Sequence, residues 1–286
     1  QYYYNPEPLY ELLDETKTLP SVGATWLINE RWQLRGAFSK TVSWPETFEL
    51  LPRTYRDIET LTAYKGNPDL KPADIKNYDM RLEWYPSDTE SVSLGAYRKD
   101  MDNPIENAFD SIGNDYDYYT FVNVDSGKVS GWELDFRTEF DLGYSHAFFV
   151  QGNYTDIESE VTLAEDSKET DLDRPLQGQP DYIANLQLGY DHIETGQEVT
   201  LVFNRKGKEL VIVTPDAGSN VTNVYSEPYD DLKIIYTKRF GDDLKVSLSG
   251  ENILDSEKRQ YYEKYNVAYL SYKSGPKYKL KVSYDF

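Results

Sequence analysis

The stretch YKLKVSYDF, residues 278–286, alternates strictly between two kinds of side chain. Tyr278, Leu280, Val282, Tyr284 and Phe286 fall on one side of an extended chain, and Lys279, Lys281, Ser283 and Asp285 on the other, because strand side chains repeat every second residue. Any half-buried strand of a soluble sheet shows the same alternation. The fold therefore turns on whether the pattern recurs, and on which solvent meets each face.

It recurs along the whole chain. RWQLRGAFSKT (31–41) sets Trp32, Leu34, Gly36 and Phe38 against Gln33, Arg35, Ala37 and Ser39. NYDMRLEWY (77–85) sets Tyr78, Met80, Leu82 and Trp84 against Asp79, Arg81 and Glu83. GWELDFRTEF (131–140) sets Trp132, Leu134, Phe136 and Phe140 against Glu133, Asp135, Arg137 and Glu139. FFVQGNY, ANLQLGY, LKIIYTKRF and LKVSLSGEN behave alike, and 20–28, 89–99 and 198–206 add further strands. The total is about eleven strands, each with one strongly polar face. Aromatics such as Trp84, Tyr190, Phe240 and Phe286 sit near strand ends on the apolar face, with aliphatics between them. That layout predicts an all-β, antiparallel up-and-down transmembrane β-barrel, apolar toward lipid and wet inside. A soluble β-sandwich also alternates, so the alternative is a secreted or periplasmic all-β binding protein with no transport role.

The connections separate these readings. Short ones at 29–30, 86–90, 141–145, 194–198 and 241–243 alternate with long ones at 42–74, 103–120, 156–178, 207–227 and 255–275. A sandwich has no reason to lengthen every second loop, whereas outer-membrane barrels have tight periplasmic turns and long extracellular loops. An odd count of about eleven departs from the even number in single-chain bacterial barrels. A half barrel would leave open edges that lipid does not tolerate. The chain is thus expected to be the C-terminal part of a larger one.

Composition narrows the function. The 286 residues carry 50 Asp and Glu against 30 Lys and Arg, a formal charge of −20, which disfavours nucleic acid as a partner because phosphate contacts need cations. Twenty-six tyrosines and five tryptophans argue against disorder. No cysteine is present, so there is neither a disulfide framework nor a thiolate metal site. No apolar run reaches the length of a spanning helix. The two histidines, His146 and His192, lie near short connections, and no Ser–His–Asp set, P-loop or HExxH occurs, so the chain does not read as an enzyme and no cofactor is expected.

Several segments resemble the TonB-dependent receptors of the Gram-negative outer membrane. They are SKTVSWPETFELLP (39–52), GNPDLKP (66–72) followed by NYDMRLEWYP (77–86), VSGWELDF (129–136), SGENILD (249–255) and the final SGPKYKLKVSYDF. They occur in the family's order over nearly the whole chain. The resemblance implies the second half of a 22-stranded barrel, residues 1–286, with the plug domain and first strands absent. It also implies TonB-coupled uptake of a scarce nutrient, an iron–siderophore first, otherwise cobalamin or an oligosaccharide. TonB would be engaged through the missing N-terminal part. The other partners implied are the nutrient at the extracellular loops, outer-membrane lipid and the outer-membrane assembly machinery, which would read the terminal Phe286 as an insertion signal.

For such a receptor the ligand residues are expected on long connections. Tyr116, Tyr118 and Tyr119 stand among aspartates at 107–121, suited to stacking. Arg53, Arg56 and Lys65, with Tyr55 among them, belong to 43–66 and are the densest cations in an acidic outer surface, suited to an anionic ligand and equally placed to pair with the local acids Asp57 and Glu59. A polar row of Arg35, Arg81, Glu83, Glu133, Arg137, Lys245, Glu251 and Lys281 is expected to face the lumen. The acidic stretch 156–175 lacks the spacing of a calcium loop, and no metal site is read from it.

Overall fold

The computed structural model describes residues 15–56, 63–112, 116–163, 173–214 and 222–284. Eleven strands form its wall: β1 (Ser21–Leu27), β2 (Trp32–Ser43), β3 (Ala73–Trp84), β4 (Ser91–Asp102), β5 (Ser126–Leu142) and β6 (His146–Thr162), then β7 (Tyr182–His192), β8 (Gln197–Lys206), β9 (Tyr229–Phe240), β10 (Leu244–Glu251) and β11 (Lys277–Tyr284). Each pairs antiparallel with its chain neighbours, an uninterrupted meander. The short Asp173–Arg174 strand adds to the far end of β6. No described strand joins β1 to β11, so the sheet is open, and its two edges run in the same direction because eleven antiparallel strands separate them by an even number of reversals.

Tight turns and long connections alternate. The turns span 28–31, 85–90, 143–145, 193–196 and 241–243. Three place a glycine at positive φ, Gly143 at 72°, Gly196 at 60° and Gly241 at 64°, the left-handed conformation that a tight reversal needs and a Cβ disfavours. The long connections are 44–72, 103–125, 163–181, 207–228 and 252–276. Two expected boundaries shift. The loop expected at 156–178 begins only after Thr162, because β6 pairs with β5 to Thr162↔Ser126. The loop expected at 103–120 is itself a hairpin, Ile105–Ile112 against Tyr116–Asn123.

The two faces of the wall differ as the alternation requires. On the apolar face Trp32 stacks on Trp84 at 5.6 Å, Phe140 on Phe148 at 5.3 Å, and Phe148 meets Tyr190 at 4.9 Å. Nearer the long connections Phe38 meets Tyr78 at 5.2 Å, Trp132 meets Tyr154 at 5.2 Å and Tyr154 meets Tyr182 at 6.0 Å. The two aromatic rows lie six to eight residues apart on each strand, about 20–26 Å of extended chain. Leu82, Leu94 and Leu186 stand between them and remain exposed.

The other face is a hydrogen-bonded polar surface. Arg35 Nε lies 3.0 Å from Glu83, and Arg81 donates to Ser93 Oγ at 2.8 Å and pairs with Asp135. Gln151 donates to Gln187 at 2.8 Å, Asn185 to Asn153 at 2.7 Å, and Lys233 to Glu251 at 2.8 Å. Glu83, Ser93, Thr200 and Thr237 are buried here. The buried apolar residues lie elsewhere. Leu70, Phe121, Val124, Val161, Leu163, Leu210, Val213 and Val224 all sit at the long-connection end, where loops fold back over the wall.

Candidate functional site: the folded outer connections

The long connections build two four-stranded sheets. In the first, Thr54–Arg56, Ala63–Lys65, Tyr116–Asn123 and Ile105–Ile112 lie side by side, with Tyr64 and Lys65 running parallel to Tyr119 and Thr120. Two separate connections are thereby joined. GNPDLKP is the latch between them. Asn67 N donates to the Glu49 carbonyl at 2.6 Å and its Nδ2 to the Phe121 carbonyl at 2.9 Å. Asn123 accepts from Lys71 N and donates to the Lys71 carbonyl, both at 2.8 Å. Leu70 is 2% exposed. A Cβ on Gly66 would lie 2.2 Å from the Leu51 carbonyl oxygen, so only glycine permits this approach.

In the second sheet Glu209–Ile212, Val224–Ser226, Lys258–Tyr262 and Val267–Tyr272 join the last two long connections. One bond links the two sheets' segments directly, Tyr119 Oη donating to the Val213 carbonyl at 3.1 Å, and Gln177 on the 163–181 connection bridges them, accepting from Asn107 Nδ2 at 3.1 Å and donating to the Val211 carbonyl at 2.6 Å. Beneath them Arg174 Nη1 meets Glu106 Oε2 at 2.8 Å, with side chains only 1% and 5% exposed.

The sequence-predicted residues divide. Tyr55 stacks on Tyr64 at 5.6 Å, and Tyr64 in turn meets Tyr119 at 5.8 Å. Phe48, Phe109 and Phe121 complete this aromatic cluster. The structure thus brings Tyr55 and Tyr119 together through Tyr64. Arg53 and Arg56 are exposed beside Tyr55. Tyr118 is 8% exposed, with Lys65 Nζ 5.6 Å from its ring centre, so it packs inward. The Tyr116 side chain, the Asp57 and Glu59 partners considered for the arginines, most of the acidic stretch 156–175, and Phe286 lie outside the described residues. His146 and His192 meet at the short-turn end with rings 4.5 Å apart, remote from this layer. Among the described residues no group of three or more His, Cys, Asp or Glu is arranged to hold a metal.

Two cavities flank the sheets. One, about 330 Å³, is lined by Glu49, Glu106, Asn107, Phe121, Gln177 and Glu209. Burial holds the Glu49 carboxyl above its ordinary value of 4.5, the neighbouring Glu46 charge adds to this, and the Glu46 N–H donating to it opposes it. The other, about 310 Å³, lies between the ends of β8 and β9 and the second sheet, and includes Lys206, Tyr229, Lys258, Arg259 and Tyr272. Sequence reasoning passed over this set, whose members are scattered from 206 to 272 and show no local motif.

An antiparallel meander with an exposed apolar band between two aromatic rows, tight turns at one end and folded loops at the other, is the wall of an outer-membrane-type β-barrel. A family model described as TonB dependent receptor-like, beta-barrel, matches residues 3–253, and the chain belongs to that family. No curated protein matches the sequence. Among solved structures, the siderophore receptor PirA from Acinetobacter baumannii aligns with a TM-score of 0.65 at 17% identity, over 94% of this chain and 41% of that one. A variant of the ferric enterobactin receptor PfeA from Pseudomonas aeruginosa, in complex with enterobactin, gives 0.62 at 18%, over 93% and 40%. The ferric-catecholate import receptor Fiu from Escherichia coli K12 gives 0.64 at 16%, over 93% and 34%. At such identities these similarities concern the fold. The chain spans about two fifths or less of the length of these structures.

Proposed function

We propose that this chain is the C-terminal part of the barrel of a TonB-dependent receptor, residing in the outer membrane and importing a scarce nutrient, with an iron–siderophore as the ligand. The observation that carries the reading is the pairing of an exposed apolar band with long connections folded into a roof at one end. Such a wall belongs in lipid, and such a roof stands where a ligand arrives from outside. The parity of the sheet agrees with it. Its two open edges run the same way, so antiparallel closure takes an odd number of further strands, and eleven more make the 22 of large outer-membrane transporters. Those strands, the plug and the TonB-contacting segment would come from the rest of the receptor.

The polar face suits transport: Arg35 is tied across strands to Glu83, Arg81 to Asp135 and Lys233 to Glu251, in a wet surface along which a plug and a hydrated solute could lie. The siderophore assignment rests on the structural neighbours, which are named as a siderophore receptor, a ferric enterobactin receptor and a ferric-catecholate import receptor. Deletion of the full-length gene in iron-starved cells is expected to abolish uptake of one radiolabelled ferric siderophore, with the receptor recovered in the outer-membrane fraction. Recovery in the soluble fraction, or unchanged iron uptake with loss of a sugar or cobalamin instead, overturns the corresponding part.

A further inference from the structure

One rung beyond the aromatic row nearer the short turns, the apolar face changes character. Phe140, Phe148 and Tyr190 stand side by side on β5, β6 and β7. The next outward row, two residues closer to the turns, runs Leu142, His146, His192, Gln197 and Lys238 across β5 to β9. Both histidines of the chain are in it. The neighbouring acids Asp141, Asp191 and Glu198 alternate onto the polar face, where Glu198 lies 3.9 Å from Arg239. At the opposite edge of the band the same outward face carries both signs, with Lys128 set between Asp100 and Glu160. In a chain of formal charge −20, this stretch of rim is basic and free of acids.

Thr195, in the turn between β7 and β8, joins the polar groups. Its N–H donates to His192 Nδ1 at 3.3 Å, and its carbonyl accepts from Lys238 Nζ. With Nδ1 accepting, the neutral His192 ring carries its proton on Nε2 and offers a donor there, not the lone pair that a metal needs. His146 Nδ1 meets Tyr190 Oη at 2.8 Å. Lys238 has no carboxylate within ion-pair distance among the described residues, Glu194 of the same turn included, and its ammonium lies 5.7 Å from the centre of the Phe240 ring. Apolar side chains flank these donors. Tyr144 is fully exposed at one turn, and Leu142 and Ile193 are 60% and 59% exposed. The Ile193 N–H donates to the Ser145 carbonyl at 2.8 Å, which holds the two turns together.

We infer that this rim seats the headgroup of an anionic phospholipid from the leaflet on the short-turn side, with Lys238 as the charge contact and His192 Nε2 as a hydrogen-bond donor to the phosphate. The inference rests on the outer-membrane placement proposed above and adds a lipid preference to it. The occupant follows from two features together. An uncompensated ammonium beside an imidazole donor complements a phosphodiester, and the row is continuous with the exposed apolar band, along which acyl chains would run past Tyr190 and Tyr236. A soluble anion would satisfy the donors and leave Leu142, Tyr144 and Ile193 in water, whereas a phospholipid covers both kinds of surface at once.

The test uses the full-length receptor purified in detergent, with native mass spectrometry counting the lipid retained from added phosphatidylglycerol, an anion, or phosphatidylcholine of the same acyl chains, which has no net charge. The wild type is expected to hold one phosphatidylglycerol about fivefold more tightly than Lys238→Gln does, the value of one cation at an anionic membrane surface, with phosphatidylcholine held equally by the two proteins. Lys238→Arg keeps the wild-type preference. His192→Phe lowers retention of both lipids, since both present the phosphate. All three variants are expected to keep the heat-dependent gel mobility of the wild-type barrel, and excess inorganic phosphate to leave the lipid in place. Equal retention of phosphatidylglycerol by Lys238→Gln and wild type overturns the inference while the membrane placement stands. Displacement of the lipid by inorganic phosphate overturns it in favour of a soluble-anion site. Recovery of the full-length protein in the soluble fraction of cells overturns the placement and the inference with it.

Discussion

The lower wall and the outer layer of this molecule are organised in opposite senses. Between the aromatic rows the wall buries Glu83, Ser93 and Thr200 and exposes Leu82, Leu94 and Leu186. In the outer layer Leu210, Val213 and Val224 are fully or almost fully buried. In the outer-membrane setting proposed above, water surrounds the outer layer, so its apolar side chains gather inside, as in a soluble domain. Lipid is as apolar as leucine, so the band gains nothing by hiding its leucines and instead satisfies its polar groups internally. One chain thus carries two solvent rules, and the change occurs within single strands: on β6 the polar face runs Gln151, Asn153, Thr155 and then Ile157 and Val161, the last two buried under the loops.

Breaking the outer layer is expected to have the largest effect. Glu106→Ala removes the carboxylate from a buried Arg174, a change that costs roughly 3–5 kcal/mol. Hydrogen exchange on the full-length receptor should show the cost in the long connections, with β7 to β10 unaffected. Loss of protection throughout the wall would mean that the two regions form one cooperative unit.

The band supplies the next test. Leu186 lies midway between Tyr182 and Tyr190 on the apolar face. Leu186→Arg should cost about 2–4 kcal/mol in folding titrations of the receptor in lipid vesicles. Gln187→Arg, one residue away on the polar face, gives up only a side-chain bond from Gln151, worth about 1 kcal/mol. Equal penalties on both faces would show that neither meets lipid.

The wall was legible in the sequence and the roof was not, for a physical reason. Alternation at period two is written locally, so Trp32, Leu34 and Phe38 announce their face without knowledge of any neighbour. Turn lengths are equally local, and they set the order of the sheet. The pairing of Tyr64 with Tyr119 joins residues 55 apart through a parallel contact of two residues, and no periodicity encodes it. Tyr118 and Tyr119, adjacent in a tyrosine-rich run, therefore look equivalent in sequence. Strand geometry sends one inward under Lys65 and the other to the Val213 carbonyl. The Lys258 cavity was missed likewise, since Tyr229 and Tyr272 of its lining lie 29 residues before and 14 after Lys258.

The latch between connections offers a smaller effect. Gly66→Ala would drive a Cβ against the Leu51 backbone, and relief by shifting the 44–72 connection should cost about 1–3 kcal/mol. Proteolysis is expected to nick this connection first, with the barrel's heat resistance unchanged. If protection of the 105–123 hairpin also survives, GNPDLKP does not hold the two connections together.

The smallest expected effect is a pH dependence confined to the same corner. The Glu49 carboxyl is held above 4.5, chiefly by burial, with the Glu46 charge adding to it. The folded state then binds its proton more tightly than the unfolded state does. Glu49 consequently favours the folded connection most at low pH, and this support is lost as pH rises from 4.5 through the folded value. Near neutrality the charged carboxylate is a mild burden on the short helix Thr47–Leu50, although it accepts from Glu46 N–H at 2.8 Å in a capping box. Glu49→Gln keeps that acceptor, since glutamine also serves at this position, and removes the charge. Corrected for intrinsic rates, hydrogen exchange at residues 46–56 should quicken with rising pH in the wild type and stay flat in Glu49→Gln, with the variant better protected at pH 7. The same slope in both proteins would assign the titration to another group, and a slope of opposite sign would show that the N–H bond to Glu49 outweighs its burial.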